Sequence, residues 1–446
     1  MTKQPSIRIG LISLGCPKTL VDSETILGTL QDAHFEIAKH ISESDIVLLN
    51  TCGFIKDAQQ ESIDALLHLI ELKKQKKILG LIVVGCLVQR YPKELEKEFR
   101  EVDAFIGSGD YEKVVPIVRK VLAGQKQVSV HRAGYLAHAE ESRVSLTPKF
   151  YRYLKISEGC NHTCSFCVIP NLRGKFRSRR IPDLVKEAGM LAQQGARELI
   201  LIGQDITKFG YDYAKKPLLP ELLERLEAIH DIRWIRLLYA YPSSVTEPMI
   251  QAIARSTKIC HYLDLPLQHI NDRILKSMRR GISKKKTAAL IQKLRDAIPD
   301  LVIRTSFIVG FPGETEKEFD ELLEFMSRMK FERLGIFKYS QEKGSAAAAM
   351  PKQIPERVKE KRFHQAMQLQ QTIAREVNRS ALGTTLEVLV EGRPVGMSKL
   401  WSGRSYRDAP EIDGNVLIET NKTLRSGRFY SVKIKETKEY DLVGQI

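Results

Sequence analysis

No stretch of this chain offers the roughly 18 uncharged apolar residues that a membrane span needs. The N-terminus, residues 1–13, lacks the layout of a secretion signal, because Arg8 interrupts its apolar stretch. Both absences lead to the expectation of a cytoplasmic location. Acidic residues are in short supply: Asp and Glu total 54 against 70 Lys and Arg, a formal net charge of +16. Such an excess favours acidic partners, nucleic acid among them, without identifying one. A paired set of cysteines is missing as well. There are seven, and in a reducing compartment an odd set points to metal binding or catalysis rather than to a disulfide framework.

What is present reads as a multidomain globular protein. At 446 residues the chain is too long for one ordinary core, and 43% hydrophobic with 28% charged residues is normal for the class. Over the first ~125 residues one pattern repeats. An apolar run ends near a cysteine and a helical stretch follows: residues 7–14 before Cys16, 46–49 before Cys52, and 78–84 before Cys86, with helical segments at 23–33 and 57–73. Such runs suit buried parallel strands in a doubly wound α/β sheet. A polar linker is expected at 126–150. Six further strands, at 153–157, 198–202, 234–239, 262–265, 302–309 and 333–337, alternate with helices, so residues 151–378 predict a partial (β/α)6 barrel ending in a long charged helix. From 379 to 446 short alternating strands punctuated by Gly392, Gly403, Gly414 and Gly427 predict a small antiparallel β-barrel.

The most specific motif is Cys160, Cys164 and Cys167, a C-x3-C-x2-C loop just after a strand. Three thiolates this close can hold three irons of a 4Fe–4S cube. The fourth iron then lacks a cysteine, and it can chelate the amino and carboxylate groups of a methionine moiety. One electron passed to the sulfonium gives an adenosyl radical able to take hydrogen from an unactivated C–H bond. Phe166 is expected to shield the loop from water. The rival reading is a zinc knuckle with His162 as fourth ligand, although zinc sites usually draw ligands from two loops. Cys16, Cys52 and Cys86 each follow a strand, one βα unit apart. Residues after parallel strands gather at the carboxyl rim, where ligands bind. The three therefore make a second three-cysteine site, with Gly15, Gly53 and Gly85 leaving room for a bulky group; three buried core thiols are the alternative. Cys260, without a cysteine neighbour, reads as a structural thiol.

These three parts together resemble the radical S-adenosylmethionine methylthiotransferases over essentially the whole chain, the C-terminal part resembling a TRAM domain. Residues 13–24 (SLGCPKTLVDSE), 153–160 (YLKISEGC) and 403–414 (GRSYRDAPEIDG) look like the branch that modifies an aspartate of small-subunit ribosomal protein S-twelve. The branch acting on tRNA usually carries Gln after its first cysteine. Departures fall at Thr19, where Asn is usual, and at Arg180, where Pro is common. The resemblance implies two 4Fe–4S clusters, one on Cys16, Cys52 and Cys86 and one on Cys160, Cys164 and Cys167, with S-adenosylmethionine at the latter. It implies hydrogen abstraction from the aspartate β-carbon, sulfur supplied at the first site, methyl from a second S-adenosylmethionine, and an external electron donor. The alternatives are the same chemistry on an adenosine of tRNA, or a non-catalytic iron–sulfur RNA-binding protein.

Weaker candidates remain. Gly203, Gln204 and Asp205 follow the second barrel strand and suit a cofactor-proximal loop or a plain turn. Arg304 in mid-strand could pair with a cofactor carboxylate or lie on the surface. Gly310 and Gly313 suit backbone approach to a ligand, or a strand-to-helix turn capped by Thr315. Gln268 and His269 could line a substrate cavity, a core histidine being the rival. Trp401, Arg404 and Tyr406, with Lys399 and Arg407, mix charge and aromatic surface as a substrate-binding face would. The basic run Lys276, Arg279, Arg280, Lys284, Lys285 and Lys286 suits docking on RNA or an acidic loop, or a solvated helix face.

Overall fold

The computed structural model describes residues 7–396 and 400–446. Lys399 lies outside them. In the first part, six parallel strands stand in the order β2-β1-β3-β4-β5-β6: β1 (Arg8–Ser13), β2 (Glu36–Ile37), β3 (Ile46–Thr51), β4 (Gly80–Gly85), β5 (Ala104–Gly107) and β6 (Gln127–Ser129). All of β3 and β4 is buried, which explains apolar runs without alternation. Helices Pro17–Asp32 and Val114–Leu122 cover one face through Ile26, Leu30, Val114 and Val118. Helix Lys56–Lys74 covers the other through Leu66, Leu69 and Ile70. The sheet is doubly wound. Its strand order reverses between β1 and β3, so the crevice at which such sheets bind ligands opens beside the loops carrying Cys16 and Cys52.

The second sheet is open and parallel, in the order β14-β13-β12-β11-β10-β7. Its strands are β7 (Tyr151–Lys155), β10 (Glu198–Ile202), β11 (Trp234–Leu237), β12 (Ile259–Asp264), β13 (Val302–Val309) and β14 (Arg333–Lys338); a two-stranded hairpin, β8 (Ser157–Glu158) with β9 (Arg177–Ser178), brackets the cysteine loop. The periodicity expectations hold closely here, with helices at Lys284–Ala297 and Glu316–Met329. Helices pack on one face of the sheet against Leu199, Leu201, Ile235, Leu263 and Ile303. The opposite face is covered by the rest of the protein: Val21 of the first part and Leu389 and Ala409 of the last pack on Ile200, Ile202, Leu238 and Tyr262. Cys260 lies buried in this layer.

After helix Glu356–Arg379 the chain forms a closed barrel, β15-β16-β17-β19-β18, from β15 (Thr385–Gly392), β16 (Leu400–Ser405), β17 (Val416–Glu419), β18 (Phe429–Thr437) and β19 (Leu442–Gln445). Four of its pairings are antiparallel, and β17 with β19 is parallel. The loop between β16 and β17 leaves this barrel and enters the concave side of the partial barrel. There Arg404 Nη2 donates to Glu198 (2.7 Å), Arg236 Nη1 to the Tyr406 carbonyl (2.7 Å), Arg333 Nε to Asp408 (2.9 Å) and the Tyr262 hydroxyl to Asp413 (2.6 Å).

Candidate active site

Cys160, Cys164 and Cys167 hang in the loop after β8. Two backbone N–H groups of the loop point at sulfur, His162 N at Cys160 and Ile169 N at Cys167, each at 3.4 Å. Arg280 donates to Cys164 Sγ at 3.4 Å, and the Tyr241 hydroxyl lies 3.8 Å from the same sulfur. Donors aimed at three separate sulfurs suit thiolates bound to separate metal corners. Burial pushes the Cys160 thiol up to about 11 and Cys167 up to about 12, so a metal has to displace their protons. The loop opens on a cavity of about 540 Å³ lined by the three cysteines and by Asn161, Lys175, Arg279 and Ala346. His162 is engaged elsewhere: its Nε2 meets Asp205 Oδ2 at 2.6 Å and its ring stacks on Tyr241 at 3.6 Å and 7°. Among the described residues no three Cys, His, Asp or Glu side chains converge as a single metal ion requires. His162, engaged by Asp205 and Tyr241, is a poor fourth ligand for a zinc knuckle, and the three-cysteine donor set suits a multi-iron cluster.

Cys16, Cys52 and Cys86 meet at the switch-point crevice. The packing depends on glycine: a Cβ on Gly15 would stand 3.0 Å from Cys52 Cβ and 3.4 Å from its sulfur, and one on Gly53 would stand 2.7 Å from the Cys86 carbonyl. Asn50, at the end of β3, ties the loops together by donating to Ser23 Oγ (2.9 Å) and the Thr19 carbonyl (3.3 Å). Burial raises the Cys52 thiol to about 11, with the Cys86 and Cys16 charges adding to it. Burial pushes Cys16 up too, but the Lys18 ammonium, the Thr19 N–H and the Arg173 guanidinium together bring it below its ordinary value. Mutual coupling through space and a soft, three-thiol donor set fit a second cluster.

The loops carrying the two trios pack together. Cys86 packs with Phe54, Val168 and Leu172, and Val168 follows Cys167 directly in the chain. Around this thin apolar layer runs a buried ionic network. Lys155 bonds Asp22 and, at 2.9 Å, Glu158; Arg173 Nη1 bonds Asp22 at 2.6 Å.

The comparisons with known proteins follow the same division. Residues 8–107 match the Uncharacterized protein family UPF0004, 154–326 the Radical SAM superfamily and 382–446 the TRAM domain. A protein of Pelotomaculum thermopropionicum named ribosomal protein uS12 methylthiotransferase RimO is 48% identical, over 98% of this chain and 99% of its own. One of the same name from Desulforamulus reducens is 47% identical over the same shares. The chain belongs to the RimO family of radical SAM methylthiotransferases. Family membership brings with it a 4Fe–4S cluster and S-adenosylmethionine. Among solved structures, the radical S-adenosylmethionine methyltransferase TsrM of Kitasatospora setae shares the fold, with a TM-score of 0.57 at 13% identity over 95% of this chain and 82% of that one.

Within this RimO-family chain several expected site residues do other work. Asp205 orients the cysteine loop through His162 and accepts from Thr207 N at 2.9 Å. Gly203 is required because a Cβ would stand 2.4 Å from Ser157 Oγ, while Gln204 stays half-buried at the rim. Arg304 is neither a surface residue nor unpaired: half-buried, it lies between Asp264 at 2.8 Å and Asp413 at 3.6 Å. The Gly310–Gly313 turn closes on its own Glu314, which accepts from Gly310 N (2.8 Å) and Phe311 N (3.1 Å); those donors are consumed, and Thr315 caps the next helix. His269 is wholly buried, and burial holds it down at about 4; it is a core histidine, whereas Gln268 remains half-buried at the barrel mouth with φ 73°. Trp401 is core of the small barrel. Arg404 is sealed between Glu198 and Glu391, and the Tyr406 hydroxyl donates to the Asp300 carbonyl, so these two dock the domains instead of offering a free surface. The basic run divides: Arg280 turns inward onto Cys164, Arg279 borders the cavity, Lys284 pairs with Glu321, and Lys276, Lys285 and Lys286 are exposed. Phe166 packs beside Ile274, Met278 and Phe311.

Lys18, Asp22 and Lys155 lie inside the motifs at 13–24 and 153–160 without standing out there, whereas Arg173, Tyr239 and Tyr241 have no motif to announce them. The usable signal was position alone: each stands next to a cysteine loop or just beyond a barrel strand.

Proposed function

We propose that this protein adds a methylthio group to the β-carbon of an aspartate in ribosomal protein uS12, using one cluster on Cys160, Cys164 and Cys167 and a second on Cys16, Cys52 and Cys86. The observation carrying this reading is that two three-thiol loops meet at one apolar cluster, in which Cys86 packs with Phe54, Val168 and Leu172, Val168 directly following Cys167 in the chain. Bound there, the clusters and S-adenosylmethionine supply a radical able to take hydrogen from carbon, together with the sulfur and the methyl that replace it. The chain's own residues prepare this encounter. Arg280, Tyr241 and the loop amides orient the sulfurs of the Cys160, Cys164 and Cys167 set. The Asp22, Lys155, Glu158 and Arg173 network holds the two rims in register and brings a guanidinium to Cys86. An external one-electron donor is required. No helix among the described residues is long and apolar enough to cross a membrane, and we assign the protein to the cytoplasm on its ribosomal substrate.

Anaerobically reconstituted protein incubated with S-adenosylmethionine, reductant and either uS12 or tRNA, followed by mass spectrometry, tests this. A methylthio mass gain on uS12 is expected; a gain on tRNA alone rejects the reading. Cys164→Ala should abolish cleavage of S-adenosylmethionine, whereas Cys52→Ala should keep cleavage and lose sulfur insertion. Wild-type protein should hold roughly eight irons per chain.

A further inference from the structure

We infer that Lys18 receives the side-chain carboxylate of the target residue and sets the specificity of this site for an acidic side chain. The inference rests on the function proposed above. Among the described residues, buried lysines and arginines are met by carboxylates with three exceptions. Arg152 donates to the carbonyls of Thr147 and Pro148, and Arg280 to the Pro266 carbonyl and Cys164. Lys18 meets no carboxylate and no carbonyl among the described residues; its polar neighbours are the Tyr239 side chain, which hydrogen-bonds it, and the Cys16 sulfur. It is only 7% exposed, and its ammonium lies 3.2 Å over the ring of Tyr239. An aromatic face repays part of the cost of burying an ammonium. A carboxylate arriving on a ligand would repay the rest, in a bond strengthened by both charges.

The place suits the reaction. Lys18 stands in the first turn of helix Pro17–Asp32, two positions after Cys16. Tyr239 follows β11, and two residues on, the Tyr241 hydroxyl is 3.8 Å from Cys164 Sγ. Three consecutive residues thus carry contacts to both cysteine loops, Tyr239 to Lys18 and Tyr241 to Cys164. Tyr239 is held in place against its backbone preference. It has φ 66°, with its N–H on Asp264 Oδ2 (2.9 Å) and its carbonyl accepting from Ile206 N (3.1 Å). The edge is open, since Gly15 is exposed and Cys16, Pro17 and Tyr239 are half-buried. A carboxylate gripped here fixes the adjacent carbon, the one that must lose hydrogen, with a single rotatable bond left free. The alternative task for Lys18 is counter-cation to the Cys16 thiolate alone. A counter-cation would be indifferent to the charge of the substrate.

Calorimetric binding of purified uS12, and of its form with the target Asp changed to Asn, distinguishes the two. The proteins compared are anaerobically reconstituted wild type, Lys18→Met and Lys18→Arg, each with its iron content measured. Wild type is expected to prefer the Asp form by roughly tenfold or more. Lys18→Met should bind both forms alike, and Lys18→Arg should keep part of the preference. Equal affinities in wild type, no binding of either form, or a preference undiminished in Lys18→Met overturns the inference. Should Lys18→Met fail to take up iron, the wild-type ratio and Lys18→Arg decide, because loss of all preference in wild type is sufficient for rejection. Failure of the functional reading shows separately, as the absence of any methylthio mass gain on uS12 with wild-type enzyme.

Discussion

At the scale of single residues, the site is built on backbone that few side chains tolerate. Gly85 precedes Cys86 with φ 104° and ψ −155°, a conformation essentially confined to glycine, and a Cβ there would stand 2.8 Å from the Thr51 carbonyl and 2.3 Å from Asn50 Oδ1. Gly85→Ala should cost about 2 kcal/mol or more and should drop bound iron to roughly half of the wild-type content, measured after anaerobic reconstitution. His269 gives the pH prediction. Burial holds it down at about 4 from its ordinary 6.5, with neighbouring Glu318 and Glu321 pulling the other way. The unfolded chain therefore takes up a proton that the folded chain refuses between those values. Stability from this group is full above about 6.5 and is lost as pH falls towards 4, by at most about 3 kcal/mol. Melting temperatures at pH 7 and 5 should lie closer together in His269→Gln than in wild type. Neither residue's task is legible from type alone: His269 reads equally as a ligand or as core until its burial is known.

At the scale of elements, one short strap couples the two cysteine rims. Glu342, 2% exposed, accepts from Arg90 Nη1 (2.7 Å), Gln59 Nε2 (3.0 Å) and Lys56 N (3.0 Å), all in the first domain. Five residues on, Ala347 N donates to the Ser165 carbonyl inside the C-x3-C-x2-C loop at 2.7 Å. Removing one member of a buried ion pair leaves its partner unpaired and costs about 3 kcal/mol. Glu342→Ala should accordingly raise hydrogen exchange together in residues 52–60 and 340–347, with the β10–β13 core unchanged. Protection lost in only one of the two segments would show that the strap does not couple them. Strands and helices were themselves readable, because residues such as 302–309 and 316–329 carry periodicities that need no partner to be seen. The strap was not, since Glu342 and Arg90 lie far apart in the chain. Strand β16 was not either: Trp401, Arg404 and Tyr406, with Lys399 and Arg407, read as a binding face because arginines and aromatic residues look solvated until their buried partners are known.

At the scale of the whole molecule, the concave side of the partial barrel is closed from both ends by other domains. Val21 and Asp22 come from the first, and the loop from Arg404 to Asp413 comes from the last. Arg404→Leu should destabilise the chain by about 3 kcal/mol and release the C-terminal barrel to limited proteolysis first, because Glu198 and Glu391 lose a shared guanidinium. Intact proteolytic resistance in that variant would contradict the plug. The sequence by itself determined the domain order and the parallel sheets and singled out the six cysteines, since strand periodicity and thiol spacing are local and survive without context. Tertiary structure alone decided which charges turn inward. Burial makes an unpaired ion costly, so Arg304 and Arg404 found carboxylates across domain boundaries, while Lys18 was left with an aromatic face between the two cysteine trios.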